Sequence, residues 1–388
     1  MAVAAACLAL AAGCTSASGS DQAGSKGADA SATPAAQETG PITVRVTPND
    51  GAKKVKPNES VKVSVSGGAL TTVTVKKTGG GKKIHGEMAG DGTSWTSSVL
   101  LRPSASYVVR VKAKNDARTK KERAAFTTLT PSSTVKASIA PLDGMTVGVG
   151  QPIGVYLSNP VRDRAAVEKA LKVTTNKDVH GVWHWFSDDE LHFRPRDYWP
   201  AHTKVTLHAD LAGVHAGPGR WGAQDRTIKF RVGDKHVSTV HAKTHQMRVR
   251  SGGDLVKKMP VSTGRPEYPT KSGVHVVMSK SDPYQMDSTT AGITGSDAYN
   301  VTVRYAVRIS NSGEFVHAAP WSVGSQGSAN VSHGCVNLSM ARAAWFYDFS
   351  QPGDIVRVKG TDAQLQPTNG FGDWNVAWKK WVEGSALH

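Results

Sequence analysis

The chain has 388 residues, a formal net charge of +16 and three cysteines, of which only Cys335 lies beyond the first fourteen positions. This length predicts more than one domain, and the basic composition indicates either anionic surroundings, such as wall polymers or membrane phospholipid, or a solubility effect spread over the surface. Nucleic acid is excluded as the expected partner, because the sequence has no helix-turn-helix, zinc finger or aromatic-basic nucleic-acid motif.

The first forty residues predict export followed by a tether. Residues 1–13 form a short apolar run that ends in small residues, which is typical of a signal peptide and too short to span a bilayer. The run Leu10-Ala11-Ala12-Gly13-Cys14 resembles a bacterial lipobox, which implies that Cys14 receives lipid and anchors an extracytoplasmic lipoprotein to the membrane, facing the cell wall. Simple secretion is the alternative, and a start codon further upstream would explain the lack of Lys or Arg before the run. Residues 14–40 are small and polar, and they predict a flexible tether.

Residues 41–131 and 132–234 predict two tandem Ig-like β-sandwich domains. Both stretches contain short runs of alternating apolar and polar residues separated by turns, as the strands of a sandwich do. The second stretch begins with a Pro-Leu-Asp-Gly turn similar to the Pro-Asn-Asp-Gly turn of the first. It also contains a short predicted helix from Arg164 to Leu171.

A group of histidines and aspartates in the second stretch raises a zinc hypothesis. The group comprises His180, His184, Asp188, Asp189 and His192. The surrounding residues instead predict two strands joined by a turn, and no HExxH helix is present. We therefore interpret these residues as structural and expect no metal.

Residues 235–360 predict a third, β-rich domain with few helices, followed by a C-terminal segment, residues 361–388, that packs on it. A hairpin is expected from Gln246 to Val261, and a helix from Met340 to Phe349. The segment at the C-terminus has three tryptophans at helical spacing, which are typical of core or docking aromatics: Trp374, Trp378 and Trp381.

Cys335 is the candidate nucleophile of this third domain. The signal segment would account for the other cysteines, which leaves Cys335 as a lone thiol in a compartment where disulfides form. His317 and His333 precede it by eighteen and two positions, and a solitary cysteine with nearby histidine is a candidate thiolate nucleophile. The alternative is a small buried hydrophobe. The glycine and polar residues of the Ser332–Asn337 motif favour a reactive site.

The spacing of His317 and the motif Ser332-His333-Gly334-Cys335-Val336-Asn337 resembles that of the YkuD-type L,D-transpeptidases. The Trp321-Ser322-Val323-Gly324 stretch, the Gly372-Asp373-Trp374-Asn375 stretch and the two preceding Ig-like domains are similar to the actinobacterial multi-domain members. The resemblance covers nearly the whole mature chain, most closely from Thr263 onward. It implies a YkuD-type catalytic domain.

The resemblance also implies roles for the matching residues. Cys335 would attack a carbonyl, while His317 would either deprotonate the thiol or hold it as a thiolate–imidazolium pair. The Ala318 carbonyl would orient the imidazole, so no acidic third residue would be needed. The N–H groups of Gly334 and Cys335 would form an oxyanion hole that His333 shapes. The substrate-contacting positions would be Tyr299, Ser312, Gly313, Asn337, Met286 and Trp321.

Simpler interpretations of three of these positions stay open. Ser312-Gly313 is also a plain hairpin turn, and Asn337 could cap the helix that begins at Met340. The segment Met286–Gly292 would begin the family's active-site lid, in which Ala291 stands where relatives often have an aromatic residue. A lid with this small residue would pack differently over bound substrate, which would affect the finer specificity.

By resemblance, the substrates are peptidoglycan stem peptides. The protein would be a cysteine acyltransferase that acts in cell-wall organisation and cell shape. It would release D-alanine from a tetrapeptide donor and form a 3→3 cross-link without a cofactor. Carbapenem β-lactams would acylate Cys335. The alternatives are an L,D-carboxypeptidase with water as acceptor, a papain-like protease, and a non-catalytic wall-binding lipoprotein. A papain-like protease has its cysteine before its histidine, which is the reverse of the order found here.

Overall fold

The computed structural model describes residues 40–81 and 83–388. The predicted signal peptide, the lipidation site Cys14 and nearly all of the tether lie outside these residues. The described chain is mainly β, with two Ig-like sandwiches followed by a β-rich third domain, which confirms the predicted fold class. Within the described residues, no helix is long and apolar enough to cross a membrane.

The first Ig-like domain has two four-stranded sheets, with strand orders β1-β2-β6-β5 and β4-β3-β7-β8. Alternate side chains of each strand point into the core, so Val63 of β2 and Val109 of β7 are buried while their chain neighbours are exposed or half-buried. The strands are β1 Thr43–Thr47, β2 Lys62–Ser66, β3 Ala69–Lys77, β4 Lys83–Ile84, β5 Gly86–Met88, β6 Ser94–Ser97, β7 Ser106–Lys114 and β8 Thr119–Thr127.

The second Ig-like domain has two four-stranded sheets and a small three-stranded sheet, in the orders β10-β12-β15-β14, β11-β19-β16-β13 and β17-β18-β9. The helix predicted from Arg164 to Leu171 ends at Lys169 in the structure, two residues earlier than predicted. It ends there because Leu171 already pairs with Ala209 as the first residue of the next strand. Its elements are β9 Ser133–Val135, β10 Ala137–Ala140, β11 Thr146–Val147, β12 Ile153–Leu157, α1 Arg164–Lys169, β13 Leu171–Thr175, β14 Gly181–Trp185, β15 Glu190–Pro195, β16 Lys204–Ala209, β17 His215–Gly217, β18 Arg220–Gly222 and β19 Arg226–Val232.

The third domain is built on a five-stranded sheet, β22-β21-β20-β30-β23, a four-stranded sheet, β24-β27-β28-β29, and a two-stranded ribbon, β25-β26. Helix α2 packs against β28 and has the predicted bounds. The elements are β20 His236–His241, β21 Gln246–Ser251, β22 Asp254–Pro260, β23 Gly273–Val276, β24 Ser279–Ser281, β25 Tyr284–Asp287, β26 Asn300–Val303, β27 Ala306–Arg308, β28 Phe315–Ala318, β29 Val336–Leu338, α2 Met340–Phe349, β30 Ile355–Lys359 and α3 Trp378–Glu383.

The C-terminal segment contacts the second Ig-like domain as well as the third domain. Trp381 is fully buried and donates its indole N–H to the Val182 carbonyl at 2.9 Å. Arg194 of β15 lies over the rings of Trp374, Trp378 and Trp381, at 4.8, 5.3 and 4.4 Å from their centroids. This segment therefore fixes the third domain against its neighbour, which the sequence did not predict.

The histidines of the zinc hypothesis lie close to this contact. His184 Nδ1 lies 2.9 Å from the Trp381 carbonyl oxygen, and His192 Nδ1 lies 2.8 Å from a carboxylate oxygen of Asp373. In the part of the chain that the structure describes, no group of three or more His, Cys, Asp or Glu side chains is arranged to hold a metal ion.

Candidate active site

Cys335 lies directly before β29, in a backbone turn that neighbouring side chains hold. Gly334 has a φ of +115°, a conformation that glycine adopts without strain. The Thr270 hydroxyl donates to the Gly334 carbonyl at 2.8 Å, and the Ser332 hydroxyl donates to the Cys335 carbonyl at 2.6 Å. These bonds fix the position of the sulfur relative to the sheet.

His317 lies on β28, which runs parallel to β29 and pairs His317 with Asn337. Cys335 comes two residues before Asn337, and side chains two residues apart along a strand point to the same face. Because Asn337 lies opposite His317, Cys335 and His317 are directed to the same side of the sheet. The His317 Nδ1 atom lies 2.9 Å from the Ala318 carbonyl oxygen. A carbonyl only accepts, so Nδ1 carries the proton and Nε2 is left as the basic nitrogen.

Burial keeps both of these groups neutral. Cys335 is 5% exposed and packs in an apolar cluster with Met286, Val303 and Phe315. Burial raises the pKa of its thiol to about 12, an effect that the Phe315 backbone N–H only partly opposes. Burial likewise lowers the pKa of His317 to about 4, although the Ala318 carbonyl works in the other direction. The site without substrate is therefore a thiol beside a neutral imidazole rather than an ion pair.

Cys335 and His317 line one cavity with a volume of 520 Å³. The thiol donates to the Gly313 carbonyl at 3.6 Å, so the S–H group must turn away from this carbonyl before its proton can pass to a base. Tyr299 also lines the cavity, and burial together with the nearby sulfur raises the pKa of its phenol to about 12. The remaining lining residues are Met286, Val301, Trp321, Ser322, Ser325, Val331, Ser332, His333 and Asn337.

Of the predicted substrate contacts, Asn337 has the most distinctive environment. It is 3% exposed and belongs to β29, and its amide N–H donates to the Ser322 hydroxyl at 3.1 Å. Its amide oxygen is buried without a hydrogen-bond partner in the described structure. Ser339 occupies the N-cap position of the helix that follows, without a side-chain hydrogen bond, and the Asn337 amide oxygen accepts none either. The alternative in which Asn337 caps this helix is therefore wrong. A buried acceptor without a partner at a cavity wall is placed to receive an N–H group.

Ser312 and Gly313 lie in the turn between β27 and β28, as the hairpin interpretation predicts, and this turn also lies beside Cys335. The Ser312 hydroxyl accepts from Lys271 Nζ at 3.1 Å and from the Asn369 amide at 2.7 Å, and it donates to Glu314 at 3.3 Å. The Ser312 side chain is thus occupied by the protein and does not line the cavity. Its network fixes the turn that presents the Gly313 carbonyl to the sulfur.

The segment predicted to begin the lid, Met286–Gly292, spans the end of β25 and the start of the loop that joins β25 to β26, which we call the lid loop. Ala291 lies beside the Ser312–Gly313 turn, since a Cβ atom added to Gly313 would lie 3.5 Å from the Ala291 Cβ. On the same loop, Asp297 accepts from Arg265 at 2.6 Å and from the Tyr268 hydroxyl at 3.0 Å. We call these three residues the lid clasp, because they join the lid loop to the segment before β23.

His333 and Gly334 differ from the expected oxyanion site. The Gly334 N–H donates to the Ser332 hydroxyl at 3.1 Å, so it would have to leave that oxygen before it could stabilise an oxyanion. The His333 ring lies between the rings of Tyr268 and Tyr299, with centroids 5.2 and 5.1 Å away. The His333 Nε2 atom is buried without a partner in the described structure, and burial lowers the pKa of this histidine.

The lid clasp and the Ser312 network were missed by sequence reasoning. Their partners are far apart in sequence, as with Arg265 and Asp297 or Ser312 and Asn369, and no short motif joins them. The only signal was indirect. Arg265 and Tyr268 occur just after Thr263, where the family resemblance becomes close.

Comparisons with known proteins give matches in both halves of the chain. A model of the bacterial Ig domain matches residues 52–215, and a model of the L,D-transpeptidase catalytic domain (YkuD) matches residues 235–358. L,D-transpeptidase 2 of Mycobacterium tuberculosis is 36% identical over 89% of this chain and 85% of its own length. L,D-transpeptidase 5 of Mycobacterium tuberculosis is 36% identical over 91% of this chain and 79% of its own length. A solved structure of the L,D-transpeptidase LdtMt1 in complex with imipenem is 39% identical, covers 59% of this chain and 99% of that chain, and has a TM-score of 0.52.

Proposed function

The chain belongs to the L,D-transpeptidase family, and on this premise we propose that it forms 3→3 cross-links between peptidoglycan stem peptides through an acyl-enzyme on Cys335. The donor would be a tetrapeptide stem ending in D-alanine, attacked at the meso-diaminopimelate carbonyl. One observation supports this proposal most strongly. The only free thiol of the described residues and a histidine with a basic Nε2 line the same cavity.

In the proposed reaction, His317 transfers one proton from the sulfur to the leaving amine, and later one proton from the entering amine to the sulfur. As the sulfur attacks the carbonyl carbon, the thiol proton passes to His317 Nε2, which then gives it to the amine of the leaving D-alanine. The side-chain amine of a second stem next attacks the thioester and loses a proton to Nε2, and that proton returns to the sulfur. Since burial disfavours both the thiolate and the imidazolium, the proton moves during the attack and not before it.

Asn337 would hold the donor peptide in register with the sulfur. Its unpartnered amide oxygen lies in the wall of the cavity and would accept a backbone N–H of the donor. Met286, Tyr299 and Trp321 would provide apolar contact on other parts of the cavity wall. The oxyanion would take the Cys335 N–H first, and the Gly334 N–H once that group has left the Ser332 hydroxyl.

The proposed function also includes an extracytoplasmic location. Lipid on Cys14 would anchor the protein to the membrane, with the tether and the two Ig-like domains between the anchor and the wall. Carbapenems would acylate the enzyme at the same sulfur that attacks the peptide. The imipenem complex of the related LdtMt1 supports this part of the proposal.

Intact-protein mass spectrometry tests the acyl-enzyme. The protein is incubated with imipenem, and in parallel with a purified disaccharide tetrapeptide. We expect one covalent adduct of imipenem per chain, and a dimeric muropeptide from the second reaction. The controls are Cys335→Ala, which removes the sulfur, and His317→Gln, which leaves the sulfur but removes the base. Circular dichroism checks that each variant is folded.

The outcomes separate the candidate functions. Formation of a 3→3 dimer by the wild type, lost in both variants, supports the transpeptidase. Release of D-alanine with a tripeptide as the sole product indicates a carboxypeptidase that uses water as acceptor. A folded wild-type protein that gains no mass and makes no product would refute the catalytic assignment and favour a wall-binding lipoprotein.

A further inference from the structure

The positive charge of this chain is concentrated in the first Ig-like domain. Residues 41–131 contain 17 Lys and Arg residues against 6 Asp and Glu residues, a formal charge of +11 out of +16 for the whole chain. A domain that served only as a spacer, or a surface that served only solubility, would have its charges distributed with both signs mixed. The charge of this domain therefore indicates a function other than spacing or solubility.

Much of this charge lies on the outward face of one sheet, formed by β4, β3, β7 and β8. We define the cationic face as six exposed side chains on this surface: Lys76, Lys83, Arg110, Lys112, Lys121 and Arg123. None of the outward positions of these four strands holds Asp or Glu. The Glu122 side chain, which comes from the same strand, pairs with Lys120 at 3.6 Å.

The strand register places like charges directly opposite one another. Lys112 faces Lys121, Arg110 faces Arg123, and Lys76 faces Lys83 across neighbouring strands. Like charges in this arrangement destabilise a sheet. An energetically unfavourable arrangement that occurs three times on one face indicates a partner that supplies the missing negative charge.

The other sheet of the same domain shows that this arrangement is not imposed by the fold. On its outward face, Arg45 pairs with Ser64, while Lys62 pairs with Thr47 on one side and Thr96 on the other. Each of these cations is thus opposite a hydroxyl side chain. The two faces therefore differ in the placement of their charges and not only in their number.

The cationic face also has a suitable shape for an extended chain. A groove of 460 Å³ crosses β3, β7 and β8, and its lining residues include Thr72, Thr74 and the acidic Glu122 beside the cations. In register, Thr72 lies beside Lys112, and Thr74 lies beside Arg110. Each of these two rows therefore has one hydroxyl and two cations. The rows are about 7 Å apart, because side chains on one face of a strand repeat every second residue.

We propose that the cationic face binds a linear phosphodiester polymer of the cell wall, laid along this groove. The cations would neutralise successive phosphates, and the threonine hydroxyls would bind hydroxyl groups of the polyol or sugar units. Insertion into a membrane fits less well, because elements that insert into the lipid interface present large apolar residues. The outward neighbours of the cationic rows are Val108 and Ala125, which are both small and half-buried. This binding would not depend on the acyl transfer proposed above.

Fluorescence anisotropy with labelled poly(glycerol phosphate) tests the proposal at several salt concentrations. The face variant changes four central cations and is Arg110→Gln, Lys112→Gln, Lys121→Gln and Arg123→Gln. The control removes the same charge from outside the cationic face and is Arg45→Gln, Lys53→Gln, Lys56→Gln and Lys62→Gln. All are exposed residues. Thermal unfolding shows that both variants are folded at the assay temperature, and the face variant should melt no lower than the wild type because its repulsive pairs are gone.

We expect the face variant to lose at least about tenfold in affinity, and the slope of log K against log salt to fall by about 3, as for the loss of four phosphate contacts. The control should change affinity by no more than about twofold. Equal losses in both variants would overturn the proposal, since binding would then follow net charge alone. So would the absence of binding by the wild type, or tighter binding to vesicles of anionic phospholipid than to the polymer.

Discussion

The protonation state of Cys335 before substrate binds gives a test that separates two forms of the site. Burial raises the pKa of this thiol from an ordinary 9.0 to about 12 and lowers that of His317 to about 4. A shift of this size lowers the thiolate fraction near neutral pH by about a thousandfold relative to an unperturbed cysteine. We therefore expect alkylation by iodoacetamide to be slow at neutral pH and to rise continuously with pH, because each unit of pH multiplies the thiolate about tenfold.

The measurement is the alkylation rate against pH, followed by mass spectrometry with a small free thiol as the reference. The two forms are distinguished by the shape of the rate profile against pH, because burial also restricts the access of iodoacetamide to the sulfur and so lowers the absolute rate. His317→Gln is the matched control. For a neutral thiol, the profile of this variant should resemble that of the wild type. A wild-type plateau below pH 7 that disappears in the variant would show a thiolate–imidazolium pair and refute our reasoning.

Three further predictions follow from other contacts. Replacing Asn337 with Ala should lower the rate of imipenem acylation by about tenfold, while thermal stability changes little, because an unpartnered acceptor is lost along with its hydrogen bond. Burial alone would lower the pKa of His192, but Asp373 and Glu190 raise it to about 9. The contacts of His192 with Asp373 and Glu190 should therefore stabilise the fold fully below pH 6.5 and lose their contribution, at most about 3 kcal/mol, as the pH rises to 9. In thermal melts at a series of pH values, a His192→Gln variant should lack this decrease in stability. Asp297→Asn should weaken the lid clasp and change imipenem acylation by only about two- to fivefold, which is the scale of an exposed ion pair.

The architecture and the placement of Cys335 and His317 in one cavity were accessible from sequence because their signals are local. The helix predicted from Met340 to Phe349 has the same bounds in the structure, and the predicted hairpin matches β21 and β22 closely. Alternation of apolar and polar residues specifies a strand within a few positions, and a motif such as Ser332–Asn337 brings its residues together in any fold. The role of Asn337 was left open for the opposite reason. Whether an amide caps a helix or faces a cavity depends on residues elsewhere in the chain.

The contacts that orient the site lie between distant segments, and a single sequence contains no signal for them. Asn369 reaches Ser312 across 57 positions, and Lys271 reaches it across 41. The Gly334 N–H is a different case. The sequence motif identifies Gly334 as the residue. Whether its N–H is free to bind an oxyanion depends on the rotamer of Ser332, which the sequence does not determine.

The nature of the group that orients His317 also bears on how a lone thiol would persist in the proposed extracytoplasmic location. A carboxylate at this position would stabilise the imidazolium and favour an ion pair with a permanent thiolate. The Ala318 carbonyl fixes the tautomer without adding a charge, and burial then keeps the sulfur protonated. Oxidation of cysteine follows its thiolate character. In the proposed extracytoplasmic location, a neutral thiol that loses its proton only during attack would be both protected from oxidants and available to the donor peptide.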